Sequence, residues 1–125
     1  MNIARLEHLK EIAARIDIGQ LDMGSWGASC GSPACLAGWA CRDELFRRQG
    51  LHMEAGVPAF RGYDAFSALD KFFGLYGMET THLFSPIAYK GPTREELLQH
   101  IDDILAGDFE EKFGAQPKYL RERAA

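Results

Sequence analysis

Apolar residues recur every three or four positions along much of this chain, and this period constrains the fold more than any other feature of the sequence. A repeat of this length places apolar side chains on one face of an α-helix. The first stripe predicts a helix from about residue 2 to residue 17 and comprises Ile3, Leu6, Leu9, Ile12 and Ile16. The dominant secondary structure is therefore expected to be helical.

A second helix is predicted to begin at Ser32-Pro33 and to run to Gln49. Serine is a favoured N-cap, and proline suits the first helical position because its missing N–H has no partner there. Gly50 is placed to end this helix. Within it, Ala34, Ala37, Gly38 and Cys41 form a run of small residues that would let another element approach the backbone closely.

The second half of the chain predicts three more helices. Asp64 can cap a helix through "AFSALDKFF", and a short helix, "METTHLF", follows and ends before Pro86. Thr93 and Glu96 have the spacing of a capping box. The apolar stripe after this box comprises Leu97, Leu98, Ile101, Ile104 and Leu105. "DFEEKFG" and "PKYLRERAA" could each add one or two helical turns.

Two glycine-rich stretches, residues 17–32 and 51–63, lack a helical period and are interpreted as ordered loops. The second could hold a short hairpin, but its alternation is too short to predict one. The expected fold is all-α: an irregular single domain over residues 1–125, with five or six helices and two long ordered loops. A chain of this length can bury a substantial core.

Charge and hydropathy exclude several function classes. The formal charge is −4, with no long basic run, so we expect no nucleic-acid partner. Charges interrupt the N-terminal segment, and no apolar stretch is long enough to span a bilayer. We therefore expect a cytoplasmic protein without a membrane partner. The three cysteines cannot all pair within one chain, which agrees with a reducing compartment.

The segment "WGASCGSPACLAGWACR", residues 26–42, contains all three cysteines and both tryptophans. One interpretation is a reactive thiol. Cys35 would lie in the first turn of the second helix, where the macrodipole favours the thiolate, and Cys30 could serve as a resolving partner. His82 is the nearest candidate base, and the alternatives are His8, His52 and His100.

A structural role is favoured for the same segment. Zinc sites need four ligands that arrive as close pairs, whereas Cys41 lies on another face of the helix, so no metal site is expected. Buried cysteines commonly behave as small apolar residues. Trp26 and Trp39 would then cover the junction between the loop and a buried helix.

At these residues the chain resembles small uncharacterised proteins of bacteria and their phages that carry a C-G-T/S-x-x-C-x-A-G-W motif. The similarity covers about residues 26–40 and 65–84, including "SALDKFFGLYGMETTHLF", in which Phe73 stands where leucine is usual. The resemblance implies that six residues act together: Cys30, Gly31, Ser32, Cys35, Gly38 and Trp39. It transfers no catalytic role, and Cys41 lies outside the shared pattern.

The expected function is binding without catalysis, because no complete catalytic set and no phosphate-binding loop are evident. Aromatic residues and arginine are enriched where binding energy concentrates. The candidate binding residues are Trp26, Trp39, Phe60, Arg61 and Tyr63. A protein or small-molecule ligand is the expected partner, a second copy of the chain is a further candidate, and no cofactor is expected. A phage-borne inhibitor or sequestering protein fits the resemblance. The alternative is a thiol-dependent enzyme that uses Cys35 or Cys30 with a histidine base.

Overall fold

A computed structural model describes residues 1–27, 32–91 and 93–113, although the side chain of the last residue is not described. The predictions for Cys30 and for a helix in "PKYLRERAA" lie outside the described residues. The elements in chain order are α1 (Ile3–Arg15), α2 (Leu36–Arg42), α3 (Glu44–Arg48), β1 (His52–Glu54), β2 (Val57–Phe60), β3 (Tyr63–Asp64), α4 (Ala65–Phe73), α5 (Met78–Phe84), α6 (Arg94–Leu105) and α7 (Phe109–Phe113). Short 3₁₀ turns span Ile18–Gln20 and Pro86–Ala88.

The long helices α1 and α6 form the frame of the domain, and both were predicted from their apolar stripes. They lie against each other, and most of both stripes is buried in one continuous core. The guanidinium of Arg94 donates to the carbonyl oxygens of Ala14, at 2.5 Å, and Ile16, at 2.7 Å, at the end of α1. A Lys10–Asp102 ion pair of 2.8 Å also joins the two helices.

The all-α prediction needs a correction, because a small three-stranded antiparallel sheet follows α3. Its strand order is β1-β2-β3, and Ala59 of the central strand pairs with His52 on one side and Asp64 on the other. The strands are too short for an apolar alternation to be visible in the sequence. Gly56 and Gly62 make the two turns with positive φ angles of 84°. The domain is therefore mostly helical, with a sheet that packs on α4.

The predicted helix from Ser32 to Gln49 is wrong at its start and in its middle. Ala34 forms a strand-like bridge to Leu21, which uses its backbone groups, so the helix begins only at Leu36 with Cys35 as N-cap. Asp43 has extended backbone angles and separates α2 from α3. Its carboxylate then caps α3 by accepting from Phe46 N at 3.1 Å.

One of the two hydrogen bonds of the capping box predicted at the start of α6 is confirmed. Thr93 Oγ1 accepts from Glu96 N at 3.2 Å, as a capping threonine should. The Glu96 carboxylate instead accepts from the backbone N–H groups of Lys90, at 2.9 Å, and Gly91, at 3.2 Å. Glu96 therefore fastens the preceding loop to the helix. Asp64 occupies the N-cap position of α4, but its side chain makes no capping hydrogen bond.

Candidate functional site

The loop before α2 folds tightly against the start of that helix. Cys35 N donates to the carbonyl oxygen of Ser25 at 2.7 Å. Trp39 Nε1 donates to the carbonyl oxygen of Gln20 at 3.2 Å, so the polar atom of this half-buried ring has a partner. One guanidinium nitrogen of Arg42 donates to the carbonyl oxygen of Gly27 at 3.0 Å. These bonds fix the described part of the loop, at Gln20, Ser25 and Gly27, on α2 and its N-cap.

An apolar pocket, the Trp26 pocket, opens beside this loop and has a volume of about 190 Å³. It is lined by Met23, Gly24, Ser25, Trp26, Cys35, Phe66, Phe84 and Pro86. The rings of Trp26 and Phe66 meet edge to face with centroids 5.8 Å apart, which is a favourable aromatic geometry. Ile87, the next residue after Pro86, is 84% exposed and adds apolar surface next to this lining residue.

The five residues predicted to bind a partner do not form one site. Trp26 lines the Trp26 pocket, whereas Trp39 lines a separate surface depression with Arg15 and Arg42. The remaining three lie at the sheet: Phe60 is buried in the core, and Arg61 and Tyr63 are exposed at its second turn. Arg61 covers the Phe60 ring at 4.9 Å, and the Lys71 ammonium lies 5.1 Å from the Tyr63 ring.

The cysteines of α2 are buried and poorly suited to nucleophilic chemistry. Burial raises the pKa of the Cys35 thiol, and this outweighs the opposite effect of the backbone N–H groups of Gly38 and Ala37. The Cys35 side chain makes no capping hydrogen bond to the helix. Burial also raises the pKa of Cys41 to about 12. The helix start therefore acts in the expected direction, but desolvation dominates, and the expectation that the Cys35 pKa is lowered is wrong.

The candidate base His82 belongs to a polar network that the sequence did not reveal. Its Nε2 lies 2.8 Å from Asp103 Oδ2. The other oxygen of this buried carboxylate accepts from Gln99 at 2.8 Å and from Lys112 at 3.3 Å. Burial opposes ionisation of Asp103, but hydrogen bonds from Gln99, His82 and Lys112 outweigh it and lower the carboxyl pKa. Sequence spacing within α6 could have indicated Gln99 and Asp103 as one i, i+4 pair.

Three aromatic rings extend this network towards the loop after α5. The His100 ring lies between His82, with centroids 4.0 Å apart, and Tyr89, with centroids 4.1 Å apart. His100 Nδ1 lies 2.7 Å from the carbonyl oxygen of His82 and must donate to it, because a carbonyl only accepts. We call Tyr89, His100 and His82 the ring stack.

We also searched the described residues for a metal-binding group and for a helix able to span a membrane. No group of three or more histidine, cysteine, aspartate or glutamate side chains among them is arranged to hold a metal ion. None of the helices in the same ranges combines the length and the apolar character needed to cross a bilayer. Comparisons with protein-family models, curated proteins and solved structures found no match to this chain.

The burial of the α2 thiols predicts slow alkylation. At pH 8, Cys41 of the folded protein should react with iodoacetamide at least about tenfold more slowly than in urea, because burial raises its pKa to about 12 and only the thiolate reacts. Cys35, whose pKa burial also raises, should likewise react more slowly than in urea. Tandem mass spectrometry must assign the adducts, since no lysine or arginine separates the three cysteines. Fast modification of Cys35 below pH 7 would contradict this prediction and favour the enzyme alternative.

Proposed function

We propose that this chain is a non-enzymatic binding protein that holds one apolar side chain of a partner protein in the Trp26 pocket. The observation that carries the proposal is the pocket itself, an open cavity with an aromatic pair in its wall. Buried anchor side chains in such pockets commonly supply most of the energy of a protein–protein interface.

The size of the pocket favours a protein partner over a small-molecule ligand. Its volume of about 190 Å³ is below the roughly 300–1,000 Å³ typical of small-molecule sites. A space of this size suits one large apolar side chain. The exposed Ile87 can extend the contact outside the pocket. A partner segment would therefore place its anchor against Trp26 and cover Ile87 with neighbouring residues.

One observation favours binding over thiol chemistry. The Cys35 side chain lines the pocket but is only 2% exposed, and burial raises its pKa, so it contributes a neutral apolar surface. The resemblance to bacterial and phage proteins further supports sequestration or inhibition of a host protein in the bacterial cytoplasm as the purpose of this binding.

A side chain added at Gly24 provides a direct test of the pocket. A Cβ at Gly24 would meet only Asp22 Oδ1, at 3.4 Å, so leucine can be accommodated while its end occupies the mouth of the pocket. We expect Gly24→Leu to weaken partner binding at least about tenfold, which corresponds to one lost anchor contact of about 1.4 kcal/mol. Gly91→Leu is the matched control, because a Cβ there has nothing within 4 Å.

The probe for this test is a displayed library of random twelve-residue peptides, selected on the wild-type protein and counter-selected on Gly24→Leu. Enriched peptides should share one large apolar residue, and their affinity, measured by fluorescence anisotropy, should survive in Gly91→Leu. The proposal is overturned if no peptide distinguishes the wild type from Gly24→Leu. It is equally overturned if free indole binds the pocket while no peptide does, since that outcome indicates a small-molecule site.

A further inference from the structure

The ring stack joins three consecutive parts of the fold. His82 belongs to α5, Tyr89 follows the turn Pro86–Ala88, and His100 belongs to α6. Two hydrogen bonds reinforce the contact: His100 Nδ1 donates to the carbonyl oxygen of His82, and Tyr89 OH donates to that of Leu83 at 2.7 Å. The stack therefore fastens α5 and the loop after it to α6.

The charged groups around the ring stack can accommodate one positive charge better than two. Asp103 of α6 bonds to His82, but its other oxygen already accepts from Gln99 and from Lys112 of α7. Among the described residues, no carboxylate forms an ion pair with His100. Glu96 of α6 is close enough to interact with the charge on His100 and with Tyr89, and Cys35 at the start of α2 is close enough to influence Tyr89.

We propose that the ring stack is an acid-sensitive latch, in which neutral imidazoles hold α5 on α6 and protonation of both rings releases it. The reason is geometric. The two imidazole planes are within 8° of parallel at 4.0 Å, so two positive charges would face each other in a largely buried site. Asp103 can balance the charge on His82 through a direct hydrogen bond. Glu96 attracts a charge on His100 only at longer range, because its carboxylate is bonded to the backbone of Lys90 and Gly91.

Protonation of His82 alone also favours the release of α5 from α6. Burial lowers its pKa below the ordinary value of 6.5, although the hydrogen bond that His82 donates to Asp103 opposes this shift. A depressed histidine pKa means that the unfolded or released state binds the proton more tightly. Stability from this group is therefore complete above pH 6.5 and is lost as the pH falls through 6.5 towards the folded-state pKa.

Release of α5 would also change the Trp26 pocket. Phe84 at the end of α5 and Pro86 just after it line this pocket, so their displacement removes part of its wall. Binding should then weaken on acidification. This consequence rests on the proposed function, whereas the release of α5 does not depend on any partner.

Hydrogen exchange of the protein without a partner tests the latch. After correction for the intrinsic chemistry of exchange, the opening of α5 amides should increase severalfold between pH 7.5 and pH 5.5. His100→Gln, which cannot charge, should show a clearly smaller increase, because only the desolvation of His82 then remains. The matched control His52→Gln alters an exposed histidine on β1 and should keep the full increase. Unchanged α5 exchange in the wild type, or an equal increase in His100→Gln, overturns the proposal.

A second measurement needs no variant and decides the question if His100→Gln fails to fold. The imidazole proton resonances of His82 in the wild type should titrate at a lower pH than they do in the urea-unfolded chain, because burial and the neighbouring His100 both lower its pKa. A His82 ring that titrates at the same pH in the folded and unfolded chains would overturn the latch. Because neither measurement uses a peptide, a protein that binds no peptide but shows acid-dependent opening of α5 refutes only the proposed function.

Discussion

Replacement of Gly38 by leucine is expected to lower the free energy of unfolding by about 3 kcal/mol or more, a large part of the stability of a domain of this size. A Cβ at Gly38 would lie 2.2 Å from the carbonyl oxygen of Trp26 and 2.8 Å from Ala34 Cβ. Neither group can retreat easily, because the loop is fixed by bonds such as Cys35 N to Ser25 O. Leucine adds three more carbons beyond this clash.

Gly38→Ala gives the sharper form of this test. In an unconstrained helix this change raises stability by about 1 kcal/mol, but here the single added carbon should lower it. Urea unfolding followed by circular dichroism measures the sign. Gly91→Ala, where the space is open, should leave stability unchanged or slightly raised. An alanine variant as stable as the wild type would show that Gly38 does not need this close approach.

The sequence predicted this close approach better than it predicted the start of the helix that makes it. Small residues at helical spacing marked the packing face of α2, because a local period carries that information. The helix start depends on a bridge between Ala34 and Leu21, which is a contact between separate segments. Serine and proline signals at residues 32 and 33 were overridden by this contact. The sheet was missed for a related reason, since strands of two to four residues carry no clear period.

The residues of the candidate site were also only partly predictable from the sequence. Trp26 and Cys35 stood out in the sequence as residue types, and both line the Trp26 pocket. Phe66 and Phe84 complete its walls from α4 and α5, and no local pattern joins them to a loop some forty or more residues earlier. His82 was noticed as a possible base, but its partner Asp103 is 21 residues away on another helix. Residue types indicate candidates, and the tertiary fold decides their partners.

Replacement of Phe72, the centre of an aromatic cluster in the core, is also expected to lower the free energy of unfolding strongly. Its fully buried ring meets Phe46, Phe60 and Phe73 edge to face, with centroids 4.9, 5.1 and 5.0 Å away. The Arg5 guanidinium covers one face at 4.0 Å. We expect Phe72→Ala to lower the free energy of unfolding by about 4 kcal/mol, because it leaves a cavity and removes these ring contacts.

Phe72 also connects α4 to the sheet through Phe60, so its removal should affect β2 more than α6. Hydrogen exchange of Phe72→Ala should therefore show the greatest loss of protection in β2. Tyr63→Ala removes a neighbouring ring that is 45% exposed and should cost less than about 1 kcal/mol in urea unfolding. Equal costs for the two variants would contradict a core centred on Phe72. Such a result would mean that the sheet is held on α4 by its exposed edge rather than by the aromatic cluster.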